Sequence, residues 1–165
     1  MSVRVATPND VPAILDMVHA LAEYQKHGDR VEATEAHFHQ VLFPEDGAPT
    51  VFCHVAEQDG AVVGIAIWIR NFSTWTGRHG IWMEDLFVLP EVRGQGVGKQ
   101  LLGSLAAICS EQGYTRLEWT VSNWNESSIG FYRSLGAGSM EDETTYRLDG
   151  QALASLGTPV PATTS

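Results

Sequence analysis

The stretch Glu84-Asp85-Leu86-Phe87-Val88-Leu89-Pro90-Glu91-Val92-Arg93-Gly94-Gln95-Gly96-Val97-Gly98-Lys99 decides how this 165-residue chain is read. Its first half ends a β-prone run over residues 81–89, which Pro90 and Glu91 stop. Its second half carries glycines at 94, 96 and 98. It passes at once into a helical pattern with Leu101, Leu102, Leu105 and Ile108 in register. A strand, a glycine turn and a helix in that order suit an anion. Glycines let backbone N–H groups come close, and a helix N-terminus carries roughly half a positive charge. Arg93 and Lys99 flank the turn in a chain with only 10 Lys and Arg. The pattern predicts a phosphate-bearing ligand. It is not a P-loop, because Gln100 follows Lys99 where Ser or Thr is needed. It is not the dinucleotide fingerprint either: the spacing is GxGxG, it lies mid-chain, and hairpin strands precede it. A glycine turn can also be a plain tight turn. Arg-x-x-Gly-x-Gly after an apolar strand is the more specific pattern.

On the N-terminal side, residues 3–5 read as a short strand. Thr7, Pro8 and Asp10 then announce a helix to about Tyr24, with Val11, Ile14, Leu15, Val18 and Leu21 at helical spacing. Thr34 caps a second helix to about Leu42. Residues 51–57 and 61–72 read as strands joined by an Asp59-Gly60 hairpin. Residues 73–80 form a loop carrying Trp75. On the C-terminal side Gly113 ends the long helix. Residues 115–122 follow as a strand, and Asn125 caps a helix over residues 127–135 that Gly136 closes. Residues 144–148 alternate like a last strand. Residues 151–156 suit a short helix, and residues 157–165 read as a disordered tail. The order β-α-α-β-β-β-α-β-α-β describes an α/β domain over residues 1–150, with a mixed central sheet flanked by helices, followed by a helix and flexible tail over 151–165.

Composition narrows the function. The 20 Asp and Glu against 10 Lys and Arg leave a net charge of −10, which argues against a duplex nucleic-acid partner. No apolar run approaches the ~20 residues that span a bilayer, so no membrane partner is expected. The first residues lack the apolar core of an export signal, so a cytoplasmic location is expected. Cys53 and Cys109 form no CxxC and read as free thiols, and the scattered histidines predict no metal site.

Arg93-Gly94-Gln95-Gly96-Val97-Gly98 resembles the acetyl-CoA-binding motif of the GCN5-related N-acetyltransferases (GNAT). The element order is also the one that superfamily shows. Trp82-Met83-Glu84-Asp85-Leu86-Phe87-Val88, Trp124-Asn125-Glu126-Ser127-Ser128-Ile129-Gly130-Phe131-Tyr132 and Leu135-Gly136-Ala137 are similar to its diamine (spermidine/spermine-type) branch. The resemblance covers nearly all of residues 3–148. It implies an acetyl-CoA-dependent N-acetyltransferase for a primary amine of a small cationic substrate, of diamine, polyamine or lysine-analogue type, by direct attack in a ternary complex, working as a homodimer. An enzyme of the same fold for a protein N-terminus, a lysine or an aminoglycoside is the alternative. A non-catalytic acyl-CoA-binding regulatory domain is another.

The resemblance also implies roles. Leu86, Phe87 and Val88 would offer backbone groups to the pantetheine arm. Arg93, Gly94, Gln95, Gly96, Val97, Gly98 and Lys99 would hold the pyrophosphate, with Asn125 and Ser128 completing the cofactor contacts. Tyr132 would give a proton to the departing thiolate, since a phenol near pKa 10 can do so. Glu84 would take the proton of the attacking ammonium, and Asp85 would be a substrate anchor or a structural partner. Neighbours on a strand point to opposite faces, so only one of the two reaches a shared cleft unless a bulge intervenes. Tyr24 and Trp75 would face the amine, Trp75 by cation–π attraction. Gln25 stands where the branch has Glu. That removes a carboxylate, counts against a long polyamine and leaves room for a shorter amine or a lysine analogue.

Overall fold

The computed structural model describes residues 1–157; the expected tail falls on residues 158–165 for all but Gly157 and lies outside the described residues. The chain forms two compact units, Met1–Thr120 and a second beginning at Val121.

The first unit is built on five strands: β1 (Ser2–Val5), β2 (Phe52–Gln58), β3 (Ala61–Ser73), β4 (Arg78–Val88) and β5 (Leu117–Glu118). They lie side by side in that order. The first three junctions are antiparallel and β4–β5 is parallel, so the sheet is mixed as expected. Asp59 (φ 53°) and Gly60 (φ 80°) make the β2–β3 turn in the left-handed region, as a two-residue hairpin requires. The parallel β4–β5 pair needs a crossover, and helix α3 (Val97–Gln112) supplies it. Gly113 ends α3 in the left-handed conformation.

Helices α1 (Val11–Tyr24) and α2 (Glu35–Leu42) cover one face of the sheet. There Ile14, Met17 and Leu42 pack with Cys53, Val55, Ile65, Ile67 and Phe87. Helix α3 buries Val97, Leu101, Leu102 and Leu105. Gly64 is the point of closest approach on that side: a Cβ there would stand 3.1 Å from the Phe87 carbonyl oxygen and 3.2 Å from Leu101 Cδ1.

The entry to α1 is fixed by charge. Residues Pro8–Asp10 form a 3-10 turn ahead of the helix. The Asp10 carboxylate accepts from the Thr7 N–H (2.7 Å) and hydroxyl (2.8 Å). The Arg4 guanidinium donates to it at 2.7 and 2.9 Å and to Glu57 at 2.7 Å. Arg4 thus ties β1, β2 and the start of α1 together and holds the Asp10 carboxyl well below the usual carboxylate range.

Two strand expectations differ from the structure. The strand expected over residues 115–122 is only Leu117–Glu118, paired with Ile81 and Trp82. The last strand, expected over residues 144–148, does not form among the described residues, and Tyr146 is 92% exposed. Alternation marks a segment able to pair but supplies no partner. In the second unit, α4 (Glu126–Ser134) begins at Asn125, whose side chain accepts from the Ser128 N–H, and α5 is Gly150–Leu156. No helix of the described residues is long and apolar enough to cross a membrane.

Asp10 contributes stability that is full above the ordinary carboxylate pKa and is lost as pH falls from about 4 toward its lower folded value. Asp10→Asn is therefore expected to cost about 1–3 kcal/mol at pH 7. Urea titrations at pH 7 and at pH 3 should show the gap from wild type narrowing at the lower pH.

Candidate active site

The site is organised by a break in the β3–β4 register. Ile67 pairs with Asp85 and Trp68 with Met83, so Glu84 is the extra residue of a β-bulge. A bulge bends its strand and sharpens the twist. This one comes just after Trp82, the last β4 residue paired with β5. The β4–β5 ladder ends there, as expected where a bulge bends the strand, and β5 is accordingly short.

Beyond the bulge β4 keeps only its β3 neighbour among the described residues. The Leu89 N–H donates to the Val63 carbonyl at 3.0 Å. Such bonds between directly opposed residues recur at every second position. Phe87 and Asp85 therefore spend their backbone groups on β3, while Leu86 and Val88 turn theirs to the open edge. The Val88 carbonyl accepts from Arg93 Nε at 2.9 Å.

A 3-10 turn over Pro90–Val92 leads from this edge to the glycine turn. Gly94 (φ 77°) and Gly96 (φ 82°) are left-handed, and a Cβ on either would meet no atom within 4 Å. Both faces are open to a ligand. Gly96 is the N-cap of α3 and brings no side-chain cap. The first intrahelical bond runs from Gln100 N–H to the Gly96 carbonyl, which leaves the N–H groups of Val97, Gly98 and Lys99 directed out of the helix end. Gln95 and Lys99 are exposed beside them. A helix end of this kind suits an anion.

The two carboxylates differ in environment. Glu84 is exposed on the bulge, whereas Asp85 is half-buried. Burial, and then the charge of Glu84, push the Asp85 carboxyl up to about 6. By register Asp85 shares a sheet row with Ile67 and Cys53. Burial, with the charges of Asp10 and Asp85, lifts the Cys53 thiol to about 12, so it stays protonated. Both cysteines are free thiols. Among the described residues no group of His, Cys, Asp or Glu is arranged to hold a metal.

The other expected residues fall in three places. Tyr24 ends α1, and its ring lies 5.2 Å from the Arg93 guanidinium carbon. Gln25 is the exposed C-cap of that helix. Trp75 is 97% exposed in the loop between β3 and β4. In the second unit Asn125, Ser128 and Tyr132 lie on or at the start of α4, and burial pushes the Tyr132 phenol up to about 12. Gly80 escaped sequence reasoning: a Cβ there would come within 2.6 Å of Arg116 Cγ, so only glycine lets the chain around Arg116 lie against β4. It falls in the stretch expected as a loop over residues 73–80, whereas β4 already begins at Arg78, so no strand-glycine signal marked it.

The sequence model of the acetyltransferase (GNAT) family matches residues 15–137. The chain belongs to the GNAT acetyltransferase family. It is an acetyl-transfer enzyme with the family's α/β architecture. The thialysine N-epsilon-acetyltransferase of Sus scrofa is 33% identical over 93% of this chain and 95% of its own length. An L-ornithine N5-acetyltransferase of Arabidopsis thaliana is 25% identical over 93% of this chain and 86% of its own. Among solved structures, an integron cassette protein from the mobile metagenome of V. cholerae superposes with a TM-score of 0.79 at 26% identity, over 96% of this chain and 98% of that one. GNAT-type motifs thus extend into the second unit, where the match includes all of α4.

Asp85 binds its proton more tightly in the folded chain than in the unfolded one. Stability therefore falls as pH rises from about 4 through about 6. Asp85→Asn is expected to stabilise the protein by about 1–3 kcal/mol at pH 8 and by almost nothing at pH 4, read from denaturant midpoints at the two values.

Proposed function

We propose that this acetyltransferase moves an acetyl group from acetyl-CoA to the terminal primary amine of a small cationic acceptor, of the diamine or lysine-analogue class. The observation that carries the reading is the bulge at Glu84. It sets two carboxylates at the point where the β4–β5 ladder ends and the backbone edge of β4 opens.

The residues present fit the donor. Leu86 and Val88 turn polar groups outward, Gly94 and Gly96 leave their faces clear, and the bare end of α3 suits a diphosphate. When bound, acetyl-CoA supplies a thioester carbonyl for attack. The chain's own part is to bind, orient and move protons. An alkylamine is mostly protonated at pH 7 and cannot attack until it loses a proton. Glu84 attracts the ammonium and takes its proton, directly or through water. Asp85 anchors the same ammonium, and its raised affinity for a proton makes it a second acceptor. The Leu86 N–H, free of β3, can hydrogen-bond the oxygen that gains charge during attack. Tyr132 gives its proton to the departing sulfur. Its raised pKa keeps the phenol protonated at neutral pH.

Transfer is direct, in a ternary complex. Neither cysteine suits an acyl-enzyme: burial raises the Cys53 thiol to about 12 and raises Cys109 as well, so both are held as thiols. The relatives' names support the acceptor class: one acts on the ε-amine of thialysine, the other on N5 of ornithine. Gln25 and Trp75 bear on the choice of amine, Gln25 by leaving out a carboxylate and Trp75 by offering a ring face. A homodimer belongs to the same reading and rests on the resemblance.

Thiol release from acetyl-CoA, measured against thialysine, ornithine, diamines, spermidine, an aminoglycoside and a lysine peptide, tests this. Turnover is expected with the short terminal amines. Release only with the aminoglycoside or the peptide, or with none of the panel, refutes it. Tyr132→Phe is expected to lower kcat by about 10²-fold while changing coenzyme A affinity far less. Equal turnover with and without the hydroxyl removes Tyr132 from the reaction. Glu84→Gln should raise KM for the amine and flatten the increase of rate with pH; an unchanged profile and KM would leave Glu84 a surface charge.

A further inference from the structure

We propose that Arg93 is a positioning residue rather than a phosphate contact, and that Tyr24 clamps it, so that the end of α1 sets the shape of the donor-binding turn. The inference rests on the reading of residues 94–99 as the donor site.

Three restraints meet on the Arg93 side chain. Its Nε donates to the Val88 carbonyl at 2.9 Å. Its guanidinium carbon lies 5.2 Å from the centre of the Tyr24 ring and 5.5 Å from that of Phe87. Both distances are within the range of cation–π attraction. Phe87 is only 5% exposed and belongs to the core beneath α1 and α2, so one side of the clamp is rigid. Tyr24 is the last residue of α1 and 38% exposed, so the other side is placed by a helix end.

The next residue is Gly94, left-handed and without a side chain to hold it. A glycine has the widest choice of backbone conformations, so the course of the turn depends on what fixes the residue before it. Arg93 is that residue. Its bond to Val88 ties the turn to the open edge of β4, the two parts of the chain that face the donor. A planar, delocalised cation can donate along its edge while rings meet its face, and a lysine ammonium cannot do both. A charge serving only to attract diphosphate would not need this arrangement. Tyr24, which the resemblance assigns to the amine, therefore also bears on donor binding.

Coenzyme A binding measured by titration calorimetry tests the clamp, with thermal melting to show that each variant folds. Arg93→Lys is expected to lose as much affinity as Arg93→Gln, about tenfold, despite keeping the charge. Tyr24→Leu and Tyr24→Met are each expected to weaken coenzyme A about two- to fivefold, whereas Tyr24→Phe keeps wild-type affinity because the ring remains. In an Arg93→Gln background Tyr24→Leu should add nothing. The clamp is overturned if Arg93→Lys binds like wild type, if the Leu and Met variants at 24 bind like wild type, if Tyr24→Phe loses affinity, or if the Tyr24 and Arg93 effects add. Failure of the wild-type protein to bind coenzyme A would instead overturn the donor-site reading. A wild type that binds, with variants behaving in any of the four ways, sinks the clamp alone.

Discussion

One extra residue in one strand governs the arrangement of this enzyme. The sheet hydrogen-bonds β4 on both sides as far as Trp82. At Glu84 the ladder with β3 slips by one residue, and β4 continues with one neighbour. A backbone edge without a partner is ordinarily a liability, because unpaired N–H and C=O groups invite further strand pairing. Here the exposed stretch is short and bent, and it leads through Pro90–Val92 into a turn that continues the row of outward polar groups. The result is one line of backbone donors and acceptors from Leu86 to the first turn of α3, made with little help from side chains.

Side chains enter where the backbone cannot hold itself. The glycine turn has conformational freedom on both sides of Gln95, and the Arg93 side chain restrains its start. The strand under it is held through Gly64, where the absence of a Cβ lets Leu101 and the Phe87 carbonyl come close. At the far corner Arg4 joins β1, β2 and the start of α1 through two carboxylates. These are different solutions to one problem, which is to keep a chain from wandering where no ladder constrains it.

Local chemistry was legible in the sequence, and non-local pairing was not. Thr34, Asn125, Gly113 and the Asp59-Gly60 pair announce their own caps and turns, and each acts where expected because the cause lies within a few residues. The glycine turn and the Glu84-Asp85 pair were legible for the same reason. The bulge was not, because nothing in Trp82-Met83-Glu84-Asp85 says which β3 residue each will face. The length of β5 and the missing pairing of residues 144–148 depend on partners far away in sequence. The direction of the Arg93 side chain was equally hidden. Spacing places a cation beside the turn, while the Tyr24 and Phe87 rings that capture it come from other elements.

The half-buried Asp85 has a consequence for the fold. Its charge makes the native state less secure at neutral pH, so a neutral side chain of the same shape gives a sturdier molecule. Loss of the carboxylate is thus energetically downhill for the fold, and under the proposed function the anchoring of the amine is what would oppose it. The proposed site would then be held at the expense of the fold that carries it.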